Sequence, residues 1–353
     1  MTNISAAQAI SPAIERTKQF LFRPFRLSTF LKLTLVAFLT EGGMTSCEFN
    51  THVPSGGSNT PHPSTPNFHM PPMHLPAPPV IAGALAFVVL IVIPVILVIG
   101  YLVIRLRFSY FDCVLRQQHQ IAPAWGLYHR QALRYLGLSL CIGVFFLAYV
   151  AVSGAVLYTQ YKPLFVALGS DNKPGFIAFL PLIGIVLLLV MVLALAASLV
   201  QTGMSYFVLP HMALEDASIS EALTDVWSDF TAEPWQYVFF ILLKFVVTLA
   251  ASIIALIAII IPIAVAGAIG GILWLILKSI SAGLAVLFGV PALILAGALF
   301  FVAMIALGGV IGTFRRNYAL IFYGGRYPPL AAILQPPIPQ PPIAPWTPEI
   351  QTP

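Results

Sequence analysis

Residues 80–104 read VIAGALAFVVLIVIPVILVIGYLVI, a run without one charged side chain. A helix that crosses the roughly 30 Å hydrocarbon core of a bilayer needs about 20 apolar residues. This stretch meets that length, and comparable runs follow at 137–157, 176–200 and across 236–312. Lipid is therefore the solvent to which this sequence is matched. The reading that follows is an all-α, polytopic transmembrane helix bundle.

Composition agrees. Hydrophobic residues make up 59% of the chain and charged residues 8%, with mean hydropathy +0.93. Soluble domains carry about 25% charged residues, so a soluble globular class is excluded. The net charge of +5 is concentrated beside the apolar runs. Arg16, Lys18, Arg23, Arg26 and Lys32 precede or enter the first; Arg105, Arg107, Arg116, Arg130 and Arg134 follow the second; Arg315, Arg316 and Arg326 follow the last. Such clusters set orientation and meet anionic headgroups. With no basic soluble domain to carry it, nucleic-acid binding is not expected. Cys47, Cys113 and Cys141 form no disulfide framework.

Positive-inside bias orders the chain. Residues 1–24 form a basic cytoplasmic N-terminus, and 25–330 the transmembrane domain. Its expected spans are 25–40, 80–104, 137–157, 176–200, 237–262 and 283–312. The loop 41–79 has Glu41 and Glu48 but no Lys or Arg, so it is assigned to the exported side. That assignment requires the short segment 25–40 to cross. Pro262, Gly267, Gly270 and Gly271 predict an irregular or interfacial connection over 263–281. Six spans place both ends in the cytoplasm of a bacterial inner membrane. The tail 331–353 is Pro-rich and matches an extended, solvated chain.

The two long inside loops carry opposite charge. In 105–136, apolar and basic residues interleave in the pattern of interfacial helices. In 201–235 six carboxylates occur without Lys or Arg. Ser218 and Glu221 have capping-box spacing, and Glu221, Asp225 and Asp229 then recur every four residues as a stripe. Docking of Arg105, Arg107, Arg130 or Arg134 onto Glu221, Asp225 and Asp229 is the expectation for these loops. Lys32, Lys244 and Lys278 are the cations nearest the hydrocarbon, where ionisable residues are functional suspects. Gly267 with Gly271 and Gly308 with Gly312 have the spacing of close helix packing.

Candidate chemistry is sparse. His52, His62, His69 and His74 lie at spacings that match no closed metal-ligand pattern. No phosphate-binding loop, HExxH or GxSxG appears, so neither a cofactor nor an enzymatic role is expected. Phe22-Arg-Pro-Phe-Arg-Leu27, Leu31-Lys-Leu-Thr-Leu-Val-Ala-Phe-Leu39, Leu214-Glu-Asp-Ala-Ser-Ile-Ser-Glu-Ala-Leu-Thr-Asp-Val-Trp227 and Phe314-Arg-Arg-Asn-Tyr-Ala-Leu320 are the landmarks of a resemblance. Together they resemble uncharacterised bacterial multi-pass membrane proteins, and are similar to the membrane domain of some glycerophosphodiester phosphodiesterases. The likeness covers about 20–330. It implies a helical membrane domain and no catalytic residues, because the barrel that performs that chemistry needs about 250 further residues. The resulting expectation is a non-enzymatic integral membrane protein. It would organise lipid, or a protein partner such as a second copy. A transporter or permease-like component for a small or lipidic substrate is the alternative, suggested by Pro94, Pro262 and Pro291.

Overall fold

A computed structural model describes residues 4–42, 87–168 and 176–334. Most of the exported loop, with its four histidines and Cys47, lies outside the described residues, as does the tail from 335. Every described element is helical. In order they are α1 (Ile10–Phe22), α2 (Leu27–Ala37), α3 (Ile93–Arg116), α4 (Ala122–Trp125), α5 (His129–Leu168), α6 (Leu180–Gly203), α7 (Leu209–Leu214), α8 (Ile219–Ala232), α9 (Pro234–Ile280), α10 (Ala282–Gly324) and α11 (Pro328–Leu334). π-helical turns extend α2 through Phe38–Gly42, precede α3 at Val88–Val92, and join α6 to α7 at Met204–Val208.

Five continuous stretches are long and apolar enough to cross a bilayer: Val89–Arg116, His129–Leu164, Ile177–Leu214, Pro234–Ile280 and Ala282–Gly324. The protein is thus an all-α bundle of membrane-spanning type. The apolar windows of these five helices are almost entirely exposed, which suits a surrounding of lipid tails. Burial is concentrated at one end of them. There Tyr110, Tyr237, Tyr318, Tyr323, Phe108, Phe111, Phe240 and Phe322 close an aromatic core. Phe240 stacks on Phe322 at 4.5 Å and on Tyr318 at 4.9 Å.

Helix α1 belongs to that packed end. Ala6, Ala9, Ala13, Thr17 and Phe20 recur at three and four residues and are buried, while Glu15 and Lys18 lie outside. Arg16 Nη2 donates to the carbonyl of Leu115 at 2.6 Å, satisfying a backbone acceptor in the last turn of α3. In α8 the expected capping box is complete: Glu221 N donates to Ser218 Oγ at 3.3 Å and Ser218 N to Glu221 Oε2 at 2.8 Å. These bonds hold the exposed Glu221 carboxyl below its ordinary 4.5, the backbone N–H of Ser218 contributing most. Trp227 and Trp235 flank the end of α8 at 66% and 80% exposure, the amphipathic aromatics expected at headgroup depth.

Two expectations change. The connection 263–281 is not irregular: α9 runs unbroken for 47 residues through Pro262, Gly267, Gly270 and Gly271, and the chain turns only at Ser281. An exposed carbonyl or N–H has no partner in hydrocarbon, so the helix persists through residues that would end it in water. At 1.5 Å per residue α9 is about 70 Å long, roughly twice the hydrocarbon thickness.

The second change concerns the segment 25–40. Its helix has 11 α-helical and 5 π-helical residues and is not among the five candidate spans. It lies along α10 in the same direction, with Thr34 against Gly309, Ala37 against Gly312 and Glu41 against Arg316. A first span leaving the cytoplasm and a last span returning to it would run oppositely. The parallel run therefore corrects the reading of 25–40 as the first crossing. Glu41, assigned by charge pattern to the exported loop, bonds to Arg316, assigned by the same pattern to the inside. An ion pair cannot reach across about 30 Å, so Glu41 belongs with the arginines.

Candidate functional site

The packed end holds a polar cluster in which α2 supplies the acid and three other helices the cations. Glu41 is 3% exposed, Arg316 1% and Arg107 5%. Arg316 Nη2 pairs with Glu41 Oε1, and Arg316 Nη1 donates to the carbonyl of Ser205 at 2.6 Å. Tyr206 OH donates to Glu41 Oε2 at 3.0 Å, so both carboxylate oxygens are engaged. Arg315 Nη2 donates to the Glu41 carbonyl at 2.9 Å. Arg107 Nη2 reaches the Thr40 carbonyl at 2.9 Å and its Nη1 reaches Ser205 Oγ at 3.1 Å. Lys244, from the start of α9, donates to Thr202 Oγ1 at 2.7 Å and lies 4.8 Å from the centre of the Tyr206 ring.

Local structure explains why these groups can meet. The π-helical turns at Phe38–Gly42 and Met204–Val208 re-aim Thr40, Glu41, Ser205 and Tyr206 toward one another. Each also exposes backbone carbonyls that the arginines cap. Glycines on α10 bring α2 close. A Cβ on Gly308 would sit 2.7 Å from the Phe38 ring, and on Gly312 3.0 Å from Glu41 Cβ. On Gly309 it would enter the Thr34 backbone. Burial of several charges requires bonded partners throughout. The Nε atoms of Arg107 and Arg316 are nevertheless without a hydrogen-bond partner among the described residues.

A second group forms around α7 and α8. His211 Nε2 lies 2.6 Å from the Tyr323 hydroxyl, which donates to Asp229 Oδ2 at 3.0 Å. Tyr323 has one proton and gives it to the carboxylate, so His211 Nε2 carries the hydrogen in this chain of bonds. His211 Nδ1 faces Glu215 at 3.6 Å and Asp225 at 3.9 Å. In the loop before α5, the Tyr128 hydroxyl is pushed up to about 12 by burial and then by the charge of Asp112.

The sequence-derived candidates are distributed unevenly. Of the four basic-loop arginines, Arg134 reaches the acidic loop, 3.3 Å from Asp216 and not from the helical stripe. Arg105 donates to the Trp125 carbonyl at 2.7 Å and lies over that ring; Arg107 joins Glu41; Arg130 is exposed. Glu221 caps its own helix, while Asp225 and Asp229 turn to His211 and Tyr323. Lys32 and Lys278 are exposed, and Lys244 alone of the three lysines enters the cluster. Gly308 and Gly312 face α2, whereas Gly267 and Gly271 face open space. At the far end of α9 and α10 the glycine in use is Gly289, against the Trp274 ring. Sequence reasoning missed Glu41, Ser205, Tyr206 and Gly309. The available signal was Glu41 itself, a carboxylate at the end of an apolar helix.

Residues 4–333 match the model of a family of unknown function, DUF7544. The chain belongs to that family. No curated protein matches it, and neither does any solved structure. A family of unknown function and five long apolar helices together fit an integral membrane protein of unknown biochemical role.

Proposed function

We propose that this protein is a non-enzymatic component of a bacterial inner membrane that organises lipid, or a protein partner, around its five long helices. Ala6 and the C-terminal end of α10 would lie together on the cytoplasmic side. The observation that carries the reading is the contrast between the two ends of the spans: their polar ends are closed by bonds within the chain, and their apolar lengths are left for something else to cover. The terminal segments support a shared side. Tyr318 OH donates to the Ala6 carbonyl at 3.1 Å and Arg326 Nη1 to the Ile4 carbonyl at 3.3 Å. The cavity at the polar cluster holds about 20 Å³, room for about one water rather than a metabolite, which favours this reading over a permease. The likeness to the membrane domain of glycerophosphodiester phosphodiesterases accords with a lipid setting and lends no catalytic residue.

Extraction in mild detergent, with photo-crosslinkers at Gly267 and Gly271, tests it. The expected products are adducts to lipid or to one recurrent protein. Substrate-dependent flux in proteoliposomes would replace the reading with a permease. A hydrolytic activity abolished by a single change at Lys244 or Asp225 would replace it with an enzyme.

A further inference from the structure

Three basic clusters flank the apolar runs, and the fold uses them differently. In the second, Arg105 and Arg107 donate to backbone carbonyls, while Arg116 and Arg134 pair with carboxylates. In the third, Arg316 and Arg326 pair with Glu41 and Glu233. The first cluster is turned outward. Arg23 and Arg26, in the corner between α1 and α2, and Lys32, in the second turn of α2, are exposed. Their side chains have no hydrogen-bond or ion-pair partner among the described residues. The same corner is apolar. The rings of Phe22, Phe25 and Phe30 meet pairwise with 5.6 to 6.2 Å between centres, yet Phe25 is 56% exposed and the adjoining Leu27 62%. A contiguous aromatic patch left outside the core, rimmed by charge, is the mark of an interaction surface.

Position identifies the partner. Thr34 lies against Gly309, and α2 runs in the same direction as α10. Leu27 precedes Thr34 by seven residues, which is about 10 Å along the helix. The start of α2 is therefore level with Val302. Gly309 is buried, whereas Phe301 and Val302 are exposed. The corner thus sits where α10 passes from the packed end into its lipid-facing length. At such a boundary aromatic rings enter the acyl region, and long basic side chains reach back to the headgroups. Charge then selects among lipids. Residues 16–40 contain no Asp or Glu, so an anionic leaflet attracts this corner and a neutral one does not. We propose that the α1–α2 corner is a docking surface for anionic lipid: Phe22, Phe25 and Phe30 enter the leaflet while Arg23, Arg26 and Lys32 take headgroup phosphates. The proposal rests on the lipid-organising reading above and names the headgroup class and the residues through which it acts.

The test uses the full chain in vesicles of equal phosphatidylglycerol and phosphatidylcholine. A photo-crosslinker replaces the exposed Ser28, and lipid adducts are identified by mass spectrometry. Phosphatidylglycerol adducts are expected to exceed phosphatidylcholine adducts by about tenfold or more, the scale of several interfacial charges. The combined R23Q, R26Q and K32Q variant should bring that ratio close to one. R23K with R26K should keep it, because charge rather than fork geometry carries the preference, and the distant K278Q should change nothing. A ratio near one in the wild type would overturn the proposal, as would an unchanged ratio in the triple variant. So would a recurrent protein adduct at Ser28 in native membranes in place of lipid. Should the triple variant not fold, the wild-type ratio and R26Q alone decide. A ratio near one with adducts still recurring at Gly267 and Gly271 would remove the corner and leave the organising role standing. Failure at Gly267 and Gly271 alone would remove that role and leave the preference at Ser28 intact.

Discussion

The two ends of helices α9 and α10 obey different rules. Where Phe240 stacks on Tyr318 and Phe322, the pair is locked into a core with α1, α2, α3 and α7 around it. Thirty residues further along each helix, Ile269, Leu275, Leu293 and Ile294 are exposed and the helices touch little beyond each other. In water that second region would be a liability. In lipid it needs no partner for its side chains, because tails are as apolar as leucine and no hydrophobic force drives helices together. Specific structure is therefore concentrated where the chain leaves the hydrocarbon, and the spans need only satisfy their own backbones.

The sharpest way to break this comparison concerns where Glu41 lies. Single cysteines at Gly42 and Gly325, in a background free of native cysteine, should react with an impermeant thiol reagent from the same side of the membrane. Reaction from opposite sides would separate α2 from the packed end. Next in size is the ion pair itself. Glu41→Gln removes the carboxylate that pairs with Arg316, and should cost about 3–5 kcal/mol in reversible unfolding from detergent.

Glycine substitutions sharpen the contrast between the two regions. Gly309→Ala forces a methyl into the Thr34 backbone and should destabilise by about 1–3 kcal/mol or more. Gly267→Ala, in open surroundings, should lie within about 0.5 kcal/mol of wild type. Ser218→Ala should cost about 1 kcal/mol through loss of the α8 cap. The Glu221 carboxyl is held below its ordinary 4.5 in the folded state. Its contribution is full above that value and fades as pH falls through the depressed one, so a melting profile between about pH 5 and pH 3 should flatten only in part in the Ser218 variant, which keeps the backbone N–H that contributes most. Smallest is Arg134→Ala, which breaks an exposed pair with Asp216 and should shift stability by less than about 1 kcal/mol.

Much of the fold could be read from residues alone. Runs such as 80–104 declare a membrane helix because hydrocarbon length and lack of charge are local properties. The α8 cap was legible for the same reason, since Ser218 and Glu221 are neighbours in one helical turn. The candidate site was legible only in pieces. Arg107, Lys244 and Gly312 could be singled out as cations or packing residues, but nothing local to them indicates Glu41 as their common neighbour. The pattern rule counted Glu41 with an acidic loop, since charge counting cannot see a partner 275 residues away. Of the expected docking between the two loops, the contact formed is Arg134 with Asp216, while Asp229 and Asp225 of the stripe turn to a phenol and an imidazole.

Composition and periodicity, then, determined the solvent, the helical class and the presence of long apolar spans. Each follows from side-chain transfer and backbone satisfaction within a single segment. Tertiary structure alone decided the direction of α2 beside α10, the continuity of α9 through Pro262, and the gathering of four cations about one carboxylate. Those outcomes depend on which remote surfaces meet, and burial of charge rewards an encounter that no single segment encodes.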